Sequence, residues 1–186
     1  MDEEPRVGRL LVASPRLADP NFARTVVMIL ARHPAEGTLG VVLNRPSTTA
    51  VDELLPSWGP LAAEPAMVFV GGPVGAQGAI GLARGGSDTP AEGWAPVAGR
   101  LGTVDLARHP VDLPTPVEAV RVFSGHAGWG QGQLEAEIDE GAWVVLDAGP
   151  DDVACATPDR LWRAVLRRQG GKLAWLANVP LDPRTN

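Results

Sequence analysis

A chain of 186 residues with 45% hydrophobic and 20% charged content is long enough to bury a full core and is expected to fold as one domain over 1–186. Its formal charge of −6 and pI near 5.0 argue against non-specific binding to nucleic acid or anionic lipid, since both require an excess of Lys and Arg. A single cysteine, Cys155, excludes an intrachain disulfide and a cysteine-rich zinc site and fits a reducing cytoplasm.

The acidic start, Met1-Asp-Glu-Glu-Pro5, is followed by no long apolar run, so neither a signal peptide nor a membrane span is expected there. Residues 9–13, 25–31 and 38–43 are short apolar runs rich in β-branched side chains and bounded by turn formers, which predicts three strands. The second and third are joined by a hairpin-length segment, 32–37, carrying Pro34 and Gly37, and should pair antiparallel. Thr49 and Asp52 fit a capping box ahead of Val51, Leu54 and Leu55, which predicts a short helix stopped by Pro56. Buried strands follow at 67–70 and 79–83, separated by Gly71-Gly-Pro-Val74. The Gly-, Ser- and Pro-rich stretch 84–100 reads as an exposed loop. A strand is expected at 101–106, no regular structure across the three prolines of 110–116, and another strand at 117–123.

Glycines then stand at 125, 128, 130 and 132 around Trp129, more than one ordinary turn requires, and the stretch reads as a loop between strand and helix. Phosphate-binding loops share that placement, but the spacing G-x-x-G-x-G-x-G is neither a Walker A loop nor the dinucleotide fingerprint, and Glu135 and Glu137 would repel a phosphate. Tight packing around Trp129 is the plainer reading. Leu134, Ile138 and the stop residue Gly141 predict an acidic amphipathic helix, and 143–146 the next strand. Thr157, Pro158 and Asp159 open a final helix that turns Leu161, Trp162, Val165 and Leu166 inward and stops at Gly170-Gly171. Its outer side presents Arg160, Arg163 and Arg167, with Arg168 and Lys172 nearby, a stripe that reads first as a solvated face. Ser14, Ser124 and Cys155 are the nominal nucleophiles and His33 and His126 the nominal bases, yet no G-x-S-x-G elbow is present. His33, His109 and His126 lack ligand-like spacing, so no metal and no cofactor are expected.

Gly8-Arg-Leu-Leu-Val-Ala-Ser-Pro-Arg-Leu17, Asp19-Pro20, Phe22, Arg24-Thr-Val-Val27, His33 and Val41-Val-Leu-Asn-Arg-Pro46 together resemble the N-terminal signature of the YqgE/AlgH family of bacterial proteins. Gly71-Gly-Pro-Val74, Gly125-His-Ala-Gly-Trp129, Gly132-Gln-Leu-Glu135, Gly141 and Trp143 resemble its later motifs in the same order. The resemblance implies a single-domain α+β fold: a mixed, bifurcated sheet, part of it curled into a small, partly closed barrel, with helices around it. It implies no established reaction, while the AlgH name carries a proposed role in transcriptional regulation. Three places depart from the pattern: His126 stands where tyrosine is common, Leu82-Ala-Arg84 lacks a following histidine, and Val179-Pro-Leu-Asp-Pro183 lacks a Gly-containing tail.

Asp19, Arg24, His33, Asn44 and Arg45, with Gly125, His126, Gly128, Trp129, Gln133 and Glu135, form the candidate surface for a ligand or partner. Asp19-Pro20 and Asn44-Arg45-Pro46 are also turn formers whose side chains bond to nearby backbone, so a structural polar network is the competing reading. The expected function is a non-enzymatic cytosolic binding or regulatory protein, its partner an unknown protein or small molecule and no membrane involved. The alternatives are a DNA-associated transcriptional regulator and an enzyme with a pocket at the Gly-rich segment.

Overall fold

The three N-terminal apolar runs form the strands expected of them in a computed structural model that describes residues 4–180. The acidic residues 1–3 and the tail 181–186 lie outside the described residues. Strands β1 (Leu10–Ala13), β2 (Val26–His33) and β3 (Gly37–Val42) make an antiparallel meander, and β10 (Trp143–Leu146) covers the free edge of β1, pairing Ala13 with Trp143 and Leu10 with Leu146. Both faces of β1 are buried, which is why it reads as an uninterrupted apolar run rather than an alternation. The β2–β3 turn is tighter than expected, because the strands extend to His33 and from Gly37.

Next come β4 (Pro46–Ala50), α1 (Val51–Leu54) and β5 (Met67–Val70), with β4 and β5 antiparallel. The capping box does not form: Thr49 belongs to β4, and Ala50 takes the N-cap without a side-chain bond. Strand β6 (Val74–Arg84) is longer than expected. Leu82 and Ala83 are buried as predicted, but Ala79 and the five residues before it are exposed, and so is Val70 of β5.

The loop expected over 84–100 is corrected by β7 (Trp94–Ala98), which pairs with β8 (Leu101–Val104). Trp94 drives this, since its buried ring packs on Gly86 and Gly102 and its indole N–H donates to Ser87 O at 2.8 Å. Only 85–93 remains as the connection. In the proline-rich stretch, Pro110–Asp112 makes one 3-10 turn.

The larger correction concerns the glycines. Strand β9 (Ala119–Trp129) runs through Gly125 and Gly128, so the supposed loop shrinks to the turn 130–132. Its inward positions after Ser124 are Gly125, Ala127 and Trp129, and its more exposed ones His126 and Gly128, an alternation that small residues conceal. One edge of β9 takes β6 antiparallel, while the opposite edge is divided. Phe123 and Ser124 pair with β5 in parallel, and residues 127–129 pair with β3 antiparallel. Gly125, at φ +71, marks the division, and a Cβ there would lie 2.6 Å from Gly72 O. The sheet thus runs β10-β1-β2-β3-β9-β6-β8-β7, with β5 and β4 branching from β9. This is a bifurcated sheet curled into a half-barrel within one domain.

Helix α2 (Gln133–Asp139) ends before Gly141 at φ +78, as its sequence predicts. Helix α3 (Pro158–Arg167) buries Leu161, Trp162, Val165 and Leu166 against β1 and β2. Thr157 is its N-cap, without a side-chain bond. Gly170-Gly171 does not end the helical region; it breaks α3 from an unanticipated α4 (Gly171–Leu176). Among the described residues, no helix is long and apolar enough to cross a membrane.

Candidate functional site

The structure separates the candidate residues into two groups. Asp19, Arg24, Asn44 and Arg45 form a clasp around residues 19–26. Asn44 lies just beyond β3, where its Oδ1 accepts from Val26 N–H at 3.0 Å and its Nδ2 donates to Arg24 O at 2.9 Å. Arg45 donates to Asn21 O at 2.6 Å and Ala23 O at 3.1 Å, and Asp19 Oδ1 accepts from Asn21 N–H at 2.8 Å. These are side-chain substitutes for a ladder that cannot continue through a turn. Arg24 takes φ +56, which L residues rarely adopt, and donates to Val179 O and Pro180 O at 2.7 and 2.6 Å while stacking 4.6 Å from the Trp162 ring centre.

The second group converges on an open cleft of about 490 Å³, where His33, Arg32, Glu36 and Thr38 of the β2–β3 hairpin face His126, Gly128 and Trp129 of β9. The hairpin reaches β9 because Gly37, at φ +106, lies directly on Trp129 O, leaving no room for a Cβ. Gln133 closes the turn after β9: its Oε1 accepts from Gly130 N–H and its Nε2 donates to Glu137 Oε1, both at 3.0 Å. Glu135 forms a close ion pair with Arg32, whose Nη1 also donates to Thr38 Oγ1 at 3.2 Å.

The Arg32 hydrogen bond, helped by a backbone N–H, holds the Glu135 carboxyl below its ordinary value of 4.5. A carboxylate whose folded pKa is depressed stabilises the fold above the unfolded value and loses that contribution as pH falls through the folded one. Glu135→Gln should therefore lower the urea midpoint at about pH 7 and leave it unchanged at about pH 2. An equal loss at both would mean that the pair contributes no charge-dependent stability.

Glu137, expected from the sequence only to repel a phosphate, is the residue behind the cleft. Its Oε2 accepts from the indoles of Trp129 and Trp143 at 2.9 and 2.8 Å. The two rings lie edge to face at 5.7 Å, and Phe22 packs on both at 6.0 and 5.6 Å. The available signal was Gln133 and Glu137 at i, i+4 on a helix flanked by tryptophans.

The nominal nucleophiles stand elsewhere. Ser124 Oγ donates to Ala76 O at 2.8 Å, Cys155 Sγ lies 3.9 Å from Thr157 Oγ1, and Ser14 is buried beside β1. None lines the cleft that holds His33 and His126. A larger groove of about 870 Å³, invisible in sequence, runs between Arg6–Arg9 on one side and Arg84, Arg100 and Glu118 on the other. Two of its arginines are paired, Arg9 with Asp147 at 3.1 Å and Arg100 with Glu118 at 2.5 Å.

A sequence profile described as AlgH-like matches residues 10–174. The chain is 52% identical over 184 residues to a UPF0301 protein of Streptomyces coelicolor, covering 96% of this chain and 94% of that one. It is 48% identical to a UPF0301 protein of Thermobifida fusca, covering 100% and 98%. Among solved structures it is similar to a Corynebacterium diphtheriae protein, DIP2367, with TM-score 0.88, 34% identity and coverage of 96% and 95%. It is also similar to the AlgH protein of Pseudomonas aeruginosa, with TM-score 0.67, 29% identity and coverage of 97% and 98%. With its bifurcated half-barrel and its motifs in register, this chain belongs to the AlgH-like family.

Proposed function

We propose that the chain is a cytosolic binding or regulatory module whose recognition surface is the hairpin cleft, with His33, His126, Gly128 and Trp129 at its centre and Gly125, Gln133 and Glu135 positioning it. The observation that carries this reading is the convergence of two distant segments, each with one imidazole, on an open cleft with an immobilised back wall. Imidazoles offer both a donor and an acceptor, and a wall fixed before binding lowers the ordering cost of association. Glu137 supplies that rigidity by pinning both tryptophans. A volume of about 490 Å³ suits a small molecule or one extended segment of a protein partner. The clasp of Asp19, Arg24, Asn44 and Arg45 stands outside this surface and shapes the turn beside β2.

Gly128 offers a direct test, because it is exposed in the cleft and nothing lies within 4 Å of the position its Cβ would take. Gly128→Val therefore obstructs the cleft without straining the fold. Native mass spectrometry of the protein purified from its own host should show a bound species in the wild type that the equally stable variant lacks. A wild type without any bound species, or the same species on both proteins, would defeat the proposal.

A further inference from the structure

A third cavity, of about 310 Å³, lies between Arg24 and the first turns of α3 and is lined by Arg24, Asp159, Arg160, Trp162 and Arg163. We infer that it binds a phosphate-bearing small molecule, gripped by the guanidinium groups of Arg24, Arg160 and Arg163. This site is distinct from the hairpin cleft and does not depend on it.

Three guanidiniums face one carboxylate, in a chain whose formal charge is −6. Elsewhere acidic side chains answer several surface arginines: Glu135 pairs with Arg32, Glu118 with Arg84 and Arg100, Glu92 with Arg108, and Asp152 with Arg168. Among the described residues, no ion pair or hydrogen bond from a side chain answers Arg160 or Arg163. Like charges gathered without a counter-charge are unfavourable, and an anion removes the penalty.

Arg24 adds an independent observation. It comes from the distant β1–β2 connection, and the bonds of Asn44 and Arg45 to the 23 and 24 carbonyls hold it in the left-handed region. Glycine would occupy φ +56 freely, so the strain is retained with an arginine in place. Its Nη2 meets two carbonyls, but its Nη1 is buried with no hydrogen-bond partner. Burial, and then repulsion from Arg163, push the Arg24 pKa down, as expected of a cation held beside another.

The surplus of two positive charges matches a phosphate monoester, which carries about −1.5 to −2 at neutral pH, better than a single carboxylate. Guanidinium forks also match phosphate oxygens in geometry. The cavity is at the small end of ligand sites, which span about 300–1,000 Å³. A nucleic-acid backbone would need the basic stripe to continue along α3. It stops there, because Arg168 is bound at 2.6 Å to both oxygens of buried Asp152 and Arg167 turns to Asn178.

The test is a titration of the intact protein with inorganic phosphate at constant ionic strength, read from the NMR signal of the Trp162 indole N–H. That N–H is fixed on Ala13 O, and its ring forms a wall of the cavity. Saturable binding is expected, weakened about tenfold or more in Arg163→Ala, which removes charge-assisted bonds without disturbing an internal contact. Arg24→Gly, which also relieves the backbone strain, should weaken it comparably, whereas exposed Arg16→Ala should change it by less than about twofold. An equal shift with chloride, or unchanged binding in Arg163→Ala, would overturn the assignment. So would a DNA duplex that displaces phosphate with steep salt dependence, since that would make the cluster a nucleic-acid contact.

Discussion

Arg121→Lys is expected to destabilise the fold by about 3–5 kcal/mol, a large share of the roughly 5–15 kcal/mol that a domain of this kind possesses. Arg121 is 2% exposed near the start of β9, and all five of its N–H groups are used. Nε donates to Val153 O at 3.1 Å, Nη1 to Ala63 O and Pro65 O at 2.9 Å each, and Nη2 to Glu64 O and Cys155 O at 3.1 Å each. The guanidinium also lies 4.1 Å from the centre of the Phe69 ring. One side chain thereby ties the segment entering β5 to the segment entering α3. Lysine has three donors in a tetrahedral array, so at least two of the five carbonyls, most of them part-buried, lose their partner, at about 1–3 kcal/mol each.

The burial of this cation is itself costly. Burial pushes the Arg121 pKa down to about 10 against the opposing influence of Cys155 and Glu64, so the group stays charged at neutral pH and depends on its carbonyls. Arg121→Met tests which contribution dominates, since it abolishes the buried charge but abandons all five acceptors. Urea unfolding followed by tryptophan fluorescence should show a comparable or larger loss for methionine. If either variant lost less than about 1 kcal/mol, five ordered carbonyls would be shown to find other partners readily.

The second large effect is expected at Glu137. Glu137→Leu leaves the buried indole N–H groups of Trp129 and Trp143 unpaired and frees Gln133 Nε2, for a loss of about 2–4 kcal/mol. Glu137→Gln keeps one carbonyl oxygen that can receive both indoles, so about 1 kcal/mol is expected, mostly from weakening charge-assisted bonds. The near-ultraviolet circular dichroism should follow the same order, because it reports the fixed geometry of the Phe22, Trp129 and Trp143 rings. Equal losses for glutamine and leucine would show that side-chain shape, and not the acceptor oxygen, holds the cluster.

What the sequence revealed depended on whether the physical signal was local. Strands β1, β2, β3 and β10 were legible because both faces are apolar and turn residues bound them. Helix α3 was legible from Pro158 at its first position and its inward period, although Thr157 makes no cap bond. Strand β7 was hidden because its single anchor, Trp94, sits among residues that otherwise compose loops. The second half of β9 was hidden because glycine and alanine carry too little side chain to show an alternation of period two. The branches of the sheet came from the family resemblance alone, since no local pattern encodes a strand with a divided edge.

For the site, the sequence named His33, His126 and Trp129 but not that they share a cleft, and it grouped Asn44 and Arg45 with them although those two clasp a turn. It missed Arg121 altogether. A lone arginine inside Val120-Arg121-Val122-Phe123 gives no hint of five carbonyls arriving from residues 63–65 and 153–155.

The divided edge of β9 also sets the order in which a nascent chain can become safe. β3 finds its second neighbour only at residues 127–129 and β1 only at 143–146. β6, which leaves the ribosome earlier, likewise waits for 119–126. At ribosomal speeds of about 5–20 residues per second, the apolar N-terminal meander stands with open edges for roughly 4–15 s before β9 arrives. Because no earlier strand can close either side, the meander is completed late, and any pause in translation before Ala119 would leave a segment suited to chaperone capture.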